Sequence, residues 1–185
     1  MQKKLILIVG LPGSGKSTAA EIIKRKFDAE IINTGDIIRE EIKNRGLKYT
    51  PKIDAFFAHW FHTSGREKLL VKRAWNKIRK SKKKIIVIDG FRSPKDLFYI
   101  KKFTKTRPFI IAINASFKVR ANRELKRGRF GEESITYLQI REKLEKKHGI
   151  EELMKKADYR IDNTRLTVKQ TENKIFKLIK SILKS

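Results

Sequence analysis

The sequence predicts a single α/β domain built around a parallel β-sheet. Short apolar segments rich in β-branched residues alternate with amphipathic segments throughout the 185 residues, as they do when a helix follows each parallel strand. Residues 4–27 form the first such unit, which reads as a strand, a glycine-rich loop and a helix. The length suits one domain with a substantial core, and no internal repeat or linker divides the chain.

The first unit carries a complete phosphate-binding loop motif. Leu5 to Val9 has the length and β-branched content of a strand buried on both faces. The next residues match the pattern G-x-x-x-x-G-K-[ST] in full: Gly10, Leu11, Pro12, Gly13, Ser14, Gly15, Lys16 and Ser17, with Thr18 following. A helix with one apolar face is then predicted by the spacing of Ala19, Ile22, Ile23 and Phe27.

Phosphate chemistry explains the residue types of this motif. Glycines let successive backbone N–H groups approach phosphate oxygens without a Cβ in the way, and the helix N-terminus adds partial positive charge. We therefore predict that residues 10–18 bind a nucleotide, with Lys16 reaching its β- and γ-phosphates and the Ser17 hydroxyl ligating Mg²⁺. The alternative is a glycine-rich turn that binds nothing. The flanking strand and helix favour the nucleotide.

A large excess of positive charge indicates polyanionic partners without identifying them. Lys and Arg outnumber Asp and Glu by 46 to 20, which gives a formal net charge of +26. The densest basic block is KIRKSKKK, from Lys77 to Lys84. It is interpreted as a solvated helix end before the next strand, with a nucleic-acid patch as the alternative.

The composition also excludes several classes of protein. The chain has no cysteine, so disulfides, thiolate zinc sites and cysteine nucleophiles are ruled out. Its apolar runs are far shorter than a membrane span, and its N-terminus lacks the long apolar core of a signal peptide. We therefore expect a soluble, cytoplasmic protein with no membrane partner. The sequence leaves the oligomeric state open.

The segment after the first helix is predicted to contain a short strand and two helices. The strand covers Ala29 to Asn33, and Asp36 is placed to cap a helix that runs to about Arg45. The pair Thr50 and Pro51 reads as the N-cap and first residue of the second helix.

That second helix carries an aromatic face and two histidines. Its face is predicted to be core or the wall of a cleft, with base stacking as the alternative, and consists of Ile53, Phe56, Phe57, Trp60 and Phe61. His59 and His62 lie off this face. We interpret them as surface or hydrogen-bonded side chains rather than a metal pair, because no third ligand is near in sequence.

Further strands and helices complete the α/β pattern. A helix over Glu67 to Lys80 precedes a second buried strand, Lys84 to Asp89, whose terminal carboxylate is placed to hold Mg²⁺, usually through water. In the alternative, Asp89 only caps the turn Gly90 to Ser93, and Ser93 begins the next helix. The remaining predicted elements are strands at Pro108 to Asn114 and Ala157 to Asn163, a helix from about Ile135 to His148, and a C-terminal helix containing Ile175, Ile179 and Ile182.

The helix after the third long strand is predicted to have two different faces. One is apolar and contains Phe117, Ala121 and Leu125. The other is a row of like charges, which repel one another, and contains Arg120, Arg123 and Arg127. Because the row includes few acids, an anion opposite it is a plausible partner.

Four further segments resemble adenylate kinases and dephospho-CoA kinases. NTGDIIRE, from Asn33 to Glu40, resembles the monophosphate-binding segment of adenylate kinases, and DGFRS, residues 89–93, resembles their D-G-F-P-R-x segment without its proline. KRGRFGEES followed by Arg141 looks like a much-shortened lid, and ADYRIDN, residues 157–163, resembles the closing A-D-x-V-I-D-N of dephospho-CoA kinases. In length and motif order the chain is similar to small archaeal P-loop kinases related to both.

The resemblance implies a three-layer P-loop kinase fold with a five-stranded parallel sheet flanked by helices. It also implies an acceptor-binding helical region at about residues 34–80 and a short lid at about 127–134. Position by position, it places the acceptor at Thr34, Asp36, Arg39 and Arg92, the donor base beside Asn163, and catalytic contacts at Lys16, Arg123, Arg127, Arg129 and Arg141. The lid departs from the family pattern, since Phe130, Gly131 and Glu132 intervene where relatives often carry an acidic pair.

These features together predict an ATP-dependent phosphotransferase that moves the γ-phosphoryl group of Mg-ATP to a nucleotide-like acceptor, such as a nucleoside monophosphate or dephospho-CoA. Such enzymes align two substrates and spread positive charge over the transferring group. A monophosphate acceptor needs no general base, whereas Asp36 or Asp89 would serve a hydroxyl acceptor. The alternative is a nucleotide-dependent ATPase that grips RNA or DNA through its basic surface, although no RNA-binding module is recognisable.

Overall fold

The computed structural model describes residues 3–63, 65–128 and 134–184, which form one parallel sheet with helices on both faces. Across these ranges, no helix is long and apolar enough to cross a membrane. The elements in chain order are β1 Lys4–Val9, α1 Lys16–Phe27, β2 Glu30–Asn33, α2 Thr34–Asn44, α3 Pro51–Phe61, α4 Glu67–Lys80, β3 Ile85–Asp89, α5 Pro94–Thr104, β4 Phe109–Asn114, α6 Phe117–Arg127, α7 Ser134–Lys147, α8 Ile150–Lys155, β5 Tyr159–Asp162 and α9 Val168–Lys184.

The sheet has five strands in the order β2-β3-β1-β4-β5, and every pairing is parallel. This confirms the predicted sheet. Asp89 at the end of β3 stands opposite Ile8 of β1 on one side and opposite Asn33 of β2 on the other. Because parallel strands all end at the same edge, the glycine loop after β1 and the polar ends of β2 and β3 lie together there.

The two faces of the sheet carry separate apolar cores. Side chains alternate along β1, so that Leu5 and Leu7 face the larger core, which is completed by α2, α3, α4, α5 and α8. Ile6 and Ile8 face the smaller core, which is completed by α1 and α9. Each fully buried side chain of this kind contributes about 1.5–3 kcal/mol. The central strand is therefore firmly anchored, and it fixes the start of the glycine loop.

The starts of α2 and α3 are formed differently from one another. Thr50 caps α3 as predicted, because its hydroxyl accepts a hydrogen bond from the N–H of Ile53 at 3.2 Å. Helix α2, in contrast, begins earlier than predicted. Its N-cap is Asn33, whose side-chain oxygen accepts from the N–H of Gly35 at 2.7 Å, so the prediction that Asp36 caps this helix is wrong.

The aromatic face of α3 is only partly buried. Phe57 and Phe61 lie in the core as predicted, with Ile53 and Trp60 packed at its border. Phe56 is 60% exposed, so its assignment to this face is wrong. Residue 56 stands at the edge of the apolar stripe, where the helix turns from the core toward solvent.

Helix α6 buries two charged side chains together with Ala121, and leaves the large side chains of its predicted apolar face exposed. Phe117 and Leu125 are 43% and 49% exposed, whereas Arg120 and Glu124 are only 3% and 7% exposed. The helix therefore departs from the usual rule at these four positions. A buried arginine is tolerated when its donors are paired, and here Arg120 pairs with carbonyl oxygens and with Glu142. The row of arginines was detectable in sequence, but its partners were not.

Candidate functional site

The glycine loop between β1 and α1 has a backbone that other residue types would not adopt. Gly10, Gly13 and Gly15 have φ angles of +154°, +78° and +103°. A Cβ on Gly15 would stand 2.4 Å from Nδ2 of Asn163, and a Cβ on Gly10 would stand 2.3 Å from the carbonyl oxygen of Ile113. The glycines of the motif are thus required both by backbone conformation and by close packing.

Lys16 and the pair formed by Ser17 and Asp89 lie at the C-terminal edge of the sheet. The Lys16 amine donates to the carbonyl of Leu11 at 3.0 Å, and the Ser17 hydroxyl donates to Oδ2 of Asp89 at 3.2 Å. Burial lowers the pKa of Lys16, although Glu145 and Asp89 act in the opposite direction. Burial also raises the pKa of Asp89, against the influence of Lys16 and of the Ser17 hydrogen bond.

The donor set around Asp89 fits a Mg²⁺ ion that is held mainly by a phosphate ligand and water. Ser17 and Asp89 offer hard oxygen atoms, which Mg²⁺ prefers. Among residues 3–63, 65–128 and 134–184, no group of three or more His, Cys, Asp or Glu side chains is arranged to hold a metal. Mg²⁺ commonly binds through one or two protein ligands plus substrate phosphates. A nearby cation would also stabilise the charged form of Asp89, which burial disfavours.

A cleft of about 350 Å³ joins the loop to the remaining predicted residues, a volume at the lower end of the range of small-molecule sites. Among the described residues, five arginines and Lys16 contribute to its walls beside four carboxylates, those of Asp54, Asp89, Glu124 and Glu145. Basic groups therefore exceed acidic ones in this lining, which suits an anionic ligand. The predicted site residues that line it are Gly10, Pro12, Gly13, Gly15, Lys16, Ser17, Thr18, Arg39, Asp89, Arg92, Arg123, Arg127, Arg141 and Asn163.

Four predicted residues do not line the cleft. Thr34 is fully buried beneath Gly90, where a Cβ would come within 2.2 Å of its hydroxyl, so the prediction that it contacts the acceptor is not supported by its position. Asp36 is an exposed residue paired with Arg39. Leu11 packs against the core and Ser14 is buried, so of the loop's side chains these two point away from the cleft. Arg129 and most of the predicted lid at 127–134 lie outside the described residues.

A buried carboxylate that the sequence did not reveal connects two of the arginines. Glu145 is 4% exposed, and its Oε1 lies 3.0 Å from both Nε of Arg92 and Nη2 of Arg141. Burial would raise the pKa of Glu145, but Arg92 and Arg141 hold it below its usual value. The network continues from Arg141 to Tyr137, whose hydroxyl donates to Asp54. In sequence, the only sign of this was the i,i+4 spacing of Arg141 and Glu145 within a highly charged helix.

Two of the predicted residues contact the loop itself. Arg123 donates to the carbonyl oxygens of Gly13 and Ser14, and Asn163 donates to the carbonyl of Ser14. Arg127, one turn along α6, pairs with Glu124 at 3.0 Å. The three arginines of the α6 row therefore have different surroundings. Arg120 and Arg123 contact carbonyl oxygens of the loop, whereas Arg127 lies at the margin of the cleft.

The three histidines of the chain come together between α3 and the end of α7. Nδ1 of His59 lies 2.9 Å from Nε2 of His148, and the His148 ring stacks on those of both His59 and His62, at centroid distances of 5.2 and 4.9 Å. His62 contacts the carbonyl of Ala58 at 2.7 Å and Oδ2 of Asp96 at 3.3 Å. The contact between His59 and His148 therefore links α3 to the end of α7, whereas the hydrogen bonds of His62 go to α3 itself and to Asp96 of α5.

We expect the protein to lose stability as the pH falls from about 6.5 toward 4, partly through His148. Burial is the main cause that lowers the pKa of His148 to about 4. The titratable and charged groups facing it are His62, His59 and Arg92, which act in the same direction, and Glu145, which opposes them. Because the unfolded chain binds the additional proton in this window, stability rises with pH across it.

Urea unfolding at a series of pH values, with wild type and His148→Gln side by side, measures this contribution. The stability of the variant should depend less steeply on pH between about 4 and 6.5. Carboxylates that do not face His148 titrate in both proteins and cancel in the comparison. Parallel curves would show that His148 does not contribute.

Comparisons with known proteins agree with this architecture. The family model described as "AAA domain" matches residues 9–139. A UPF0200 protein of Pyrococcus horikoshii is 35% identical, over 97% of this chain and 97% of that protein. A UPF0200/UPF0201 protein of Archaeoglobus fulgidus is 34% identical over 89% of this chain but 51% of its own length, so the chain spans about half of that relative.

Two solved structures share the fold. "Crystal structure of TT1252 from Thermus thermophilus" matches with a TM-score of 0.65 and 16% identity over 99% of both chains. A shikimate kinase from Acinetobacter baumannii, solved in complex with shikimate, matches with a TM-score of 0.55 and 17% identity over 97% of this chain and 94% of that one. With the sheet order described above, these matches confirm the predicted P-loop kinase-type fold, with its five-stranded parallel sheet flanked by helices.

Proposed function

Since this chain belongs to the UPF0200 family and contains an AAA domain, we propose that it is a kinase that transfers the γ-phosphoryl group of Mg-ATP to a nucleotide-like acceptor. Its P-loop kinase-like fold supports nucleotide binding of the kinase type. The observation that carries the proposal is the hydrogen bond between Ser17 and Asp89, beside the partly buried Lys16, in a cleft to which five arginines of the described residues contribute.

The donor would lie along the glycine loop. N–H groups at the start of α1 and the Lys16 amine would receive the phosphate tail, because both are positive and both are at the cleft wall. Ser17 and Asp89 would hold Mg²⁺, which neutralises charge on the β- and γ-phosphates when bound. Leu166 and Val168, which line the same cleft near Asn163, would offer apolar surface to the donor base.

Transfer itself requires alignment and positive charge rather than covalent chemistry from the protein. Lys16 would remain at the β- and γ-phosphates throughout the step. Arg141 and Arg92 would stabilise the transferring group or the acceptor from the opposite wall, since Glu145 fixes both guanidinium groups in place. The planar fork of arginine suits two-point contact with phosphate oxygens.

The acceptor would occupy the end of the cleft lined by Arg39, Ile38 and Tyr137. An arginine beside apolar and aromatic side chains suits a molecule that has both an anionic group and a ring system, such as a nucleoside monophosphate or dephospho-CoA. For a monophosphate acceptor no general base is needed. For a hydroxyl acceptor Asp89 would be the candidate, because Asp36 lies outside the cleft.

The proposal is tested by following label from γ-labelled ATP in the presence of Mg²⁺. The acceptor panel contains the nucleoside monophosphates, dephospho-CoA, shikimate and RNA, each with a no-acceptor control. We expect label on one small anionic acceptor, with hydrolysis to inorganic phosphate at a much lower rate because the enzyme aligns a bound acceptor in preference to water.

The same panel tests the nucleic-acid alternative. Hydrolysis that responds only to RNA, with no label on any small acceptor, would replace the kinase proposal. The structure adds little to that alternative, because two lysines of the block from Lys77 to Lys84 pair with acids: Lys77 with Glu40 and Lys83 with Asp28. The net charge of +26 remains its main support.

A further inference from the structure

The outward side of the glycine loop is held by side chains of α6. Arg120 is 3% exposed, and its Nη1 donates to the carbonyl of Pro12 at 3.2 Å. The rest of its guanidinium is fixed as well, since Nε donates to the carbonyl of Ala115 at 3.1 Å and Nη2 pairs with Glu142 at 2.7 Å. Arg120 is therefore locked in one orientation against the loop.

Arg123 contacts the next two carbonyl groups of the loop. Its Nη1 donates to Gly13 at 3.3 Å and to Ser14 at 3.1 Å, and its Nη2 donates to the carbonyl of Asn163 at 3.0 Å. The side chain of Asn163 donates to the Ser14 carbonyl at 3.0 Å and accepts from Thr171 at 2.9 Å. Three successive carbonyl oxygens are thus held from outside by two arginines and one asparagine.

Because the peptide bond is planar, hydrogen bonds that fix the carbonyl groups on one side of the loop also fix the direction of its N–H groups on the other side. In a trans peptide the C=O and N–H groups point in opposite directions. Fixing the carbonyls of Pro12 and Ser14 therefore directs the N–H groups of Gly13 and Gly15 to the other side, toward the cleft that both residues line. The intervening N–H of Ser14 donates to the carbonyl of Leu11 at 3.2 Å, which closes the turn.

We propose that Arg120 and Arg123 are positioning residues that hold the glycine loop in its anion-binding form before any ligand arrives. The proposal rests on the proposed nucleotide-binding role of the loop. Under this proposal Arg123 orients the loop and does not contact the transferring phosphoryl group. A loop of glycines would otherwise sample many backbone conformations, and ordering them would weaken phosphate binding.

The position of Arg123 argues against a direct catalytic role. Its two terminal nitrogens already donate to three backbone oxygens, so rotation toward a phosphate would leave the carbonyls of Gly13 and Ser14 without those partners. Losing partners of this kind is unfavourable, because the carbonyl oxygens would be left without a donor. Arg127 makes no contact of this type with the loop among the hydrogen bonds of the described residues, and pairs with Glu124 instead.

The test measures binding of Mg-pyrophosphate and of Mg-ADP by titration calorimetry, without any turnover. Arg123→Gln should weaken both affinities by about tenfold or more. Arg123→Lys keeps one donor and should bind with intermediate affinity. The matched control is Lys126→Gln, which removes one positive charge from an exposed position on the same helix and should change affinity by less than about twofold.

Each outcome has a clear meaning when a thermal melt shows that the variants are folded. Loss of pyrophosphate affinity in Arg123→Gln, with partial recovery in Arg123→Lys, supports the proposal. Unchanged affinity combined with a lower kcat would overturn it, because Arg123 would then act on the transition state. Equal losses in Arg123→Gln and Lys126→Gln would overturn it as well, since net charge alone would explain them. If wild type bound neither probe, the proposed function would fall together with this inference.

Discussion

Replacing Lys16 with alanine should lower the proposed phosphoryl transfer by about 10²- to 10³-fold or more, the usual cost of removing one charge contact from a transition state. The amine of Lys16 lies within the loop, 3.0 Å from the Leu11 carbonyl, where a phosphate tail would displace that contact. Label transfer from γ-labelled ATP under saturating acceptor measures the loss. Lys24→Ala, on the exposed side of α1, is the matched control and should retain full activity.

The stability of this variant provides a second, independent readout. Burial lowers the pKa of Lys16, so the folded protein disfavours its charged form. Removing the side chain should therefore leave the melting temperature unchanged or raise it, as is common at sites shaped for function. Unaltered transfer would remove the glycine loop from the mechanism. A large drop in melting temperature would contradict the reasoning about burial.

Replacing Gly10 with alanine should lower the free energy of unfolding by about 2–6 kcal/mol, from backbone strain and overpacking together. Its φ is +154°, and a Cβ would stand 2.3 Å from the carbonyl oxygen of Ile113. That oxygen belongs to β4, whose position is fixed by pairing with β1, so it cannot retreat cheaply. Since domains are typically stable by only about 5–15 kcal/mol, this loss would remove a substantial part of the total stability.

Gly46→Ala is the matched control for this effect. Gly46 also has a positive φ, +69°, but a Cβ there would meet nothing within 4 Å. It should lose about 1–2 kcal/mol, from backbone strain alone. Urea unfolding of both variants gives the comparison. Equal losses would show that the contact with Ile113 does not matter.

The parts of the fold and site that depend on local pattern were predictable. The strand, loop and helix around Gly10 to Ser17 are specified by one continuous segment. The position of Asp89 at the end of an apolar strand is specified by a second one. Because parallel strands end at one edge, the sequence was also sufficient to bring Asp89 near the loop. In the structure the two are neighbours, since the Ser17 hydroxyl donates to Asp89.

The parts that depend on distant partners were not predictable from pattern. Arg120 sits inside because its donors reach Pro12 and Glu142, which are far away in sequence. In the sequence nothing distinguishes Glu145 from other acids on a highly charged helix. Its role becomes visible only in the folded protein, where Arg92 lies beside it. Thr34 occupies a position of the family motif, but it is fully buried beneath Gly90. In each case a tertiary contact decided the outcome against the local preference.

Helix α7 is fastened to α3 at both of its ends. Near its beginning the hydroxyl of Tyr137 donates to Asp54, and just past its end His148 meets His59. The two fastenings are eleven residues apart, about 16 Å along a helix axis. With a single hydrogen bond α3 could rotate about the point of contact. With two, α3 cannot rotate or slide relative to α7 unless one of the hydrogen bonds breaks. A displacement of α3 that preserves both contacts must therefore move α7 with it. Arg141 and its partner Glu145, which both lie on α7, would then move as well.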